Sequence, residues 1–308
     1  MSVPDQNRTM LGVLFMVAFC IIAPVMDAFA KATPEHVPVA QILAARFGIQ
    51  VMILVPLALA LQLAARPIGR DISLHLARGA ALLAATACFF TAVRYMPIAN
   101  AIAIFFVSPF VTTLLGAVFL KETVGWRRVS ACLVGFGGAL LVIRPSFTGL
   151  GAVALLPLST AFFFAVYMLL TRSMSQRLHP LTLQAHTALA ACLIVFPPLI
   201  AMDGSGSRYF DPVWPTGLAI WTLLGVGLIA TVSHLCITYA LRFAPASTVA
   251  PLQYLEIVGA TAVGYIAFND FPKPLTWLGV AIIVASGLFL FARERDLGRK
   301  TDRPPPPP

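Results

Sequence analysis

A few polar and ionisable residues stand inside long apolar runs, and their types define the chemistry open to the chain. Glu256 is foremost. Gln253 lies three residues before it on the same helical face, and Tyr254 points about 100° away from Gln253. Pro251, five residues before Glu256, frees a backbone carbonyl. A carboxyl there can bind a cation, exchange a proton, or serve structurally by pairing with a neighbouring helix. Arg46, with Gln41 on the same run, offers a planar fork for an anion or carboxylate. Asp27 sits at a similar depth, and Lys31 follows one turn later, the spacing of a helical ion pair. Asp27, Lys31 and Arg46 could equally form a structural ion-pair cluster. His186 and His234 are candidates for proton relay or for hydrogen-bonded packing. Asn100 and Ser108 correspond to Thr248 and Glu256 in an internal repeat, so Ser108 is the counterpart of Glu256 and a candidate for the same chamber.

A charge at membrane depth costs about 2.5–3.5 kcal/mol and has to face a cavity or a partner. The elements around these residues therefore decide their roles. Of the 308 residues 59% are hydrophobic and only 11% are charged, against about 25% charged in a typical soluble domain. That composition excludes a soluble globular enzyme, a disordered chain and a disulfide framework. Cys20, Cys88, Cys132, Cys192 and Cys236 each lie within an apolar run without a C-x-x-C spacing, and read as small packing residues. Ten stretches are long and apolar enough to span a bilayer, at about 10–30, 39–63, 74–94, 97–120, 127–143, 149–171, 181–202, 215–240, 244–268 and 275–292. The expected fold is an all-α membrane protein of ten transmembrane helices. Pro97 and Pro245 follow two very short connections and suit first helical turns. The run from Met10 to Ala30 is too long for a signal-peptide core.

The net charge of +9 would suggest nucleic acid in a soluble chain, but here the basic residues sit between apolar runs, so no nucleic-acid partner is expected. With the N-terminus inside, fourteen of the twenty-one Lys and Arg residues fall on the cytoplasmic side and five (Lys31, Arg94, Arg144, Arg208 and Lys273) on the other. The bias predicts both termini cytoplasmic. The tail at 293–308, charged and then all proline, is expected to be extended and disordered.

The chain also repeats itself. Arg94-Tyr95-Met96-Pro97 aligns with Arg242-Phe243-Ala244-Pro245 at an offset of 148, and Glu122 falls on Asp270. One residue of slip then aligns Gly138 with Gly287 and Arg144 with Arg293. Each half has five spans, an odd number, so the halves enter the membrane in opposite directions. The expected organisation is a first repeat at 1–145, an inverted second repeat at 146–292, and the tail. Inverted repeats are the architecture of alternating-access carriers, with one site between the halves near the midplane.

Three stretches resemble the EamA-type carriers of the drug/metabolite transporter superfamily over about residues 10–292. They are Phe119-Leu120-Lys121-Glu122 with the helix bearing Gly135, Gly137 and Gly138; its counterpart Phe268-Asn269-Asp270-Phe271-Pro272 with Gly279 and Gly287; and Ala250-Pro251-Leu252-Gln253-Tyr254-Leu255-Glu256. Asp27-Ala28-Phe29-Ala30-Lys31, with Arg46 in the next helix, is similar to a subgroup that includes carriers of riboflavin and S-adenosylmethionine. The resemblance implies two five-helix bundles around a central cavity and the transport of a small organic solute, riboflavin-like, S-adenosylmethionine-like or an exported metabolite. The expected reading is a secondary active transporter of the inner membrane, driven by a gradient such as that of protons, with no cofactor or metal. Its expected partners are a small solute and membrane lipid, with a homodimer left open. An integral-membrane lipid-modifying enzyme is the rival reading and a channel the third, but no H-E-x-x-H, G-x-S-x-G or P-loop spacing is present.

The remaining expectations concern packing. Phe89, Phe90, Phe105, Phe106, Phe162, Phe163 and Phe164 suit lipid contact first and an aromatic cavity second. Arg78, one turn into the third span, is expected to snorkel to the inner interface. Trp126, Trp214 and Trp277 fit interfacial belts, and Gly225 and Gly227 fit close helix packing.

Overall fold

Lipid offers no hydrogen-bond partners, so an apolar chain has to pair each backbone N–H and C=O within its own helices. The computed structural model of the chain describes residues 6–63, 70–108, 151–175, 177–244 and 250–274 with few gaps, and scattered residues between 110 and 141 and between 277 and 289. Its helices are α1 (Gln6–Ala32), α2 (Val39–Ala60), α3 (Arg70–Tyr95), α4 (Ile98–Phe105), α5 (Leu156–Ser175), α6 (Pro180–Ala201), α7 (Leu218–Phe243) and α8 (Glu256–Phe268). Short 3-10 segments, Gly151–Leu155 and Ala250–Leu255, lead into α5 and α8.

Six of the described helices are long and apolar enough to cross a membrane, and their bounds lie within a few residues of the expected spans. The full count of ten rests on residues 112–150 and 287–292, most of which lie outside the described residues. So do Glu122, Trp126, Gly135, Arg144, Pro245, Thr248, Arg293 and the tail. Three helix starts follow the proline rule. Pro38 and Pro97 cap α2 and α4 with extended backbone, and Pro180 opens α6 behind His179, whose Nδ1 accepts from the Leu181 N–H at 3.3 Å.

The packing is an exchange between the two halves. α1 lies on α7 as α5 lies on α3, α2 meets α7 as α6 meets α3, and α1 meets α8 as α5 meets α4. α2 and α6 face each other, as do α4 and α8. The pattern maps onto itself when α1–α4 are exchanged with α5–α8, as a two-repeat fold requires. Small residues set the approach. A Cβ on Gly227 would stand 2.3 Å from Ile49, and one on Gly225 would stand 2.6 Å from the Phe29 ring, so both glycines let α7 seat against α1 and α2.

The two central elements are broken at corresponding places. α4 ends at Phe105, where Val107 N–H turns back to the Ile104 carbonyl, and the 3-10 segment gives way to α-helix between Leu255 and Glu256. Phe106 and Tyr254, counterparts at the offset of 148, meet edge to face with ring centres 5.1 Å apart. Glu256 is thus the first residue of a new helix, not the middle of a continuous one as expected. Pro251 has no N–H for an α-helical turn, and the Leu252 carbonyl accepts from the Cys20 thiol of α1 at 3.2 Å.

Candidate functional site

A cavity lies between the halves, with about 510 Å3 of space not filled by atoms when the open solvent at its mouth is included. α1 contributes Phe19, Ala23, Met26 and Asp27; α2 contributes Arg46; α3 contributes Leu82, Ala85, Thr86, Phe89 and Phe90; α4 contributes Phe105. From the other half come Thr160 and Phe164 on α5, His234 on α7 and Glu256 on α8. Four residues singled out by sequence, Asp27, Arg46, His234 and Glu256, therefore meet in one chamber although they are up to 229 positions apart in the chain.

The polar groups of the chamber divide into satisfied and free. The Thr86 hydroxyl donates to the Leu82 carbonyl of its own helix at 2.8 Å, and the Thr160 hydroxyl is shared between the Leu156 and Ala85 carbonyls. Both hydroxyl protons are thus spent on backbone carbonyls. Arg46 is fully buried, with its Nη2 2.8 Å from His234 Nε2 and its guanidinium 4.3 Å above the Phe47 ring. Among the described residues, Nε and Nη1 of Arg46 have no hydrogen-bond partner, nor does Oε2 of Glu256. The chamber thus holds one cation with unmet donors and two carboxyls, Asp27 and Glu256, within aromatic walls.

Several expectations need correction. Lys31 does not pair with Asp27. It reaches across the halves to Asp270 and lies 4.6 Å over the Phe268 ring, because the end of α1 sits beside the end of α8. The cluster of Asp27, Lys31 and Arg46 is accordingly absent, and neither carboxyl of the chamber forms an ion pair with Arg46 among the described residues. Arg78 does not snorkel. It is fully buried and donates to α5 and α6. Phe89, Phe90, Phe105 and Phe164 face the chamber and not lipid, Phe106 packs on Tyr254, and Phe162 is exposed. Gln41 is occupied by the Val213 backbone, donating to its carbonyl at 2.7 Å and accepting from its N–H at 3.0 Å.

Other candidates stand outside the chamber wall. His186 packs against His75 with ring centres 4.5 Å apart. Gln253, Tyr254 and Ser108 are buried around the helix breaks, and Asn100 is half-buried on α4. Sequence reasoning passed over Phe19, Met26 and Thr160 in the wall, and His75, Tyr167 and Gln184 beside Arg78. The polar ones carried the same signal as Glu256, a polar side chain inside an apolar run.

Comparison with known proteins follows this geometry. The chain matches the EamA-like transporter family twice in tandem, over residues 10–144 and 151–292. A riboflavin transporter of Vibrio cholerae serotype O1 is 31% identical over 208 residues, which are 67% of this chain and 66%, just under two thirds, of that protein. A pseudopaline exporter, CntI, of Pseudomonas aeruginosa (strain UCBPP-PA14) is 27% identical over 91% of this chain and 95% of its own. An S-adenosylmethionine uptake transporter of Rickettsia prowazekii (strain Madrid E) is 22% identical over 94% and 96%. A crystal structure of another protein superposes with a TM-score of 0.63 at 17% identity, covering 95% of this chain and 99% of the other, and so shares the fold. Two matches to one transporter family leave little of the chain uncovered: this multi-pass membrane protein belongs to the EamA-like transporter family, within the drug/metabolite transporter superfamily.

Proposed function

We propose that the chain is a secondary carrier of the inner membrane that moves a small organic metabolite by alternating access, with both termini in the cytoplasm and the chamber as the solute site. The observation that carries this reading is the chamber itself. Both halves build it, and it gathers Asp27, Arg46, His234 and Glu256, with unmet hydrogen-bonding capacity on Arg46 and Glu256. The halves are inverted repeats, 1–145 and 146–292, that rock about this site, and residues 293–308 form a cytoplasmic tail. Solute contacts come from Arg46, Glu256 and the Phe walls. Asp27 and Glu256 are the proton-exchanging groups. Gln253, Tyr254, Asn100, Ser108 and His186 are not among the wall residues and take supporting roles in transport. Aromatic walls with one cation and two carboxyls suit a polar ring compound, and riboflavin and S-adenosylmethionine, named for relatives, are the first solutes to try.

Reconstituted in liposomes, the protein is expected to give saturable counterflow of one of these solutes or of another metabolite, without changing it chemically. Conversion of a solute without any gradient would indicate an enzyme, and flux that never saturates would indicate a channel.

The Lys31–Asp270 pair joins the halves at one end of the bundle and has to separate when that end opens. Lys31→Asp or Asp270→Lys alone is expected to slow counterflow several-fold, and the double exchange to recover most of it. Recovery is the decisive measurement, since a part-exposed ion pair contributes only about 0–1 kcal/mol to stability.

A further inference from the structure

We propose that His234 is the positioning residue for Arg46: a neutral imidazole holding its proton on Nδ1 accepts from Nη2 and leaves the Nε and Nη1 donors free for an anionic or strongly accepting group of the solute. This rests on the chamber being the solute site.

A guanidinium has five N–H bonds in one plane and no acceptor. Its Nη2 stands 2.8 Å from His234 Nε2, so that ring nitrogen has to be bare, since two donors do not face each other at this distance. The ring proton is then on Nδ1, and a partner waits there. The Ala230 carbonyl, one turn earlier on α7, is 3.2 Å away, with the Ser233 hydroxyl at 3.3 Å. In water the alternative tautomer, with the proton on Nε2, prevails, so two contacts on opposite sides of the ring impose the rarer form. Phe19 and the imidazole meet edge to face, centres 6.2 Å apart at 84°.

The consequence falls on Arg46. His234 on α7 takes one of its nitrogens from across the halves, and the Phe47 ring covers the guanidinium at 4.3 Å. Nε–H and both N–H bonds of Nη1 are unmet in a residue with no exposed surface that lines the chamber. The charged groups facing the pair in the chamber are Asp27 from α1 and Glu256 from α8, with the Arg78 guanidinium of α3 also acting on His234, and among the described residues neither carboxyl forms an ion pair with Arg46. A buried cation left with unused donors is unfavourable until an acceptor arrives. The carboxylate or comparable group of a solute is such an acceptor, and the rigid fork of Arg makes its orientation selective.

Two measurements on the full chain in nanodiscs test this. Nitrogen NMR of 15N-histidine protein, with the His234 signals assigned by their loss in His234→Gln, is expected to show a protonated Nδ1 and a bare Nε2. A protonated Nε2 in the wild type overturns the positioning role. The second measurement is thermal stabilisation by benzoate, a probe whose ring suits the Phe walls and whose carboxylate suits Arg46. The wild type is expected to be stabilised, and so is His234→Gln, whose side-chain carbonyl can accept from Arg46. His234→Ala should bind about tenfold more weakly, and Arg46→Met should show no shift. Equal stabilisation of His234→Ala and wild type overturns the proposal. Failure of the wild type to respond to benzoate while the tautomer is as expected overturns the anion-selecting half, whereas the solute-site reading stands or falls on the counterflow measurement.

Discussion

Arg78→Met is expected to lower the unfolding free energy by about 3–5 kcal/mol, the cost of breaking a buried charge network. Arg78 stands on α3 with no exposed surface. Its Nε donates to the Thr171 hydroxyl at 2.8 Å, its Nη1 to the Leu183 carbonyl at 2.9 Å and to the Thr187 hydroxyl, and its Nη2 to the Tyr167 hydroxyl at 3.0 Å and Gln184 Oε1 at 3.4 Å. The guanidinium also lies 4.6 Å from the centre of the Tyr167 ring. One side chain of the first half therefore ties together α5 and α6 of the second. Methionine keeps much of the stem volume but strands several acceptors where neither water nor lipid can replace the donor. Lysine concentrates its donors on one nitrogen and cannot reach partners on both helices from a single position, so Arg78→Lys should recover only a small part. Unfolding in detergent, followed together with the fraction that elutes as a monodisperse species, reads the effect. A loss below about 1 kcal/mol, the scale of an exposed pair, would mean the network is not closed as described. Tyr167 also packs on Phe164 of the chamber wall, ring centres 5.5 Å apart, so the same substitution should loosen the chamber.

Arg78 also marks how far the sequence can be read. The rule that an intramembrane charge needs a cavity or a partner singled out Asp27, Arg46, His234 and Glu256, and all four share the chamber. Applied to Arg78, the same rule gave snorkelling, because the third span was expected from residue 74. α3 starts at Arg70, so Arg78 sits two turns in, beside helices that no local pattern predicts as neighbours. Lys31 shows the complementary failure. Asp27 is four residues away and satisfies the helical spacing, yet the partner is Asp270, brought near by the packing of α1 on α8. Spacing rules see one helix at a time, whereas partners across the halves are set by the pseudo-symmetry of the pair. The offset of 148 did carry that information, since it matches Phe106 to Tyr254, and the two rings touch. The phenylalanines were illegible for another reason: a Phe is equally content in lipid and in an aromatic wall, so only the packed structure separates Phe89 and Phe164 from Phe162.

Glu256→Gln should divide the two halves of the transport cycle. The residue begins α8 where the 3-10 segment ends, is 6% exposed, and has an Oε2 with no partner facing the chamber. Glutamine keeps the length and one carbonyl acceptor but cannot exchange a proton. If Glu256 carries the coupling proton, solute exchange across the membrane needs no net proton movement and should fall only by the loss of its solute contact, whereas uptake driven by a proton gradient should fall about tenfold or more beyond that. The pH dependence of driven uptake should flatten as well. A residue that only holds α8 against its neighbours would show the opposite pattern, with exchange and driven uptake falling together and the pH profile keeping its shape. Asp27→Asn tests the second carboxyl of the same chamber. Should Glu256→Gln leave driven uptake and its pH profile intact while Asp27→Asn abolishes both, the coupling group is the carboxyl on α1 and Glu256 contacts the solute alone. If neither substitution alters the profile, the carrier is not driven by protons taken up in this chamber.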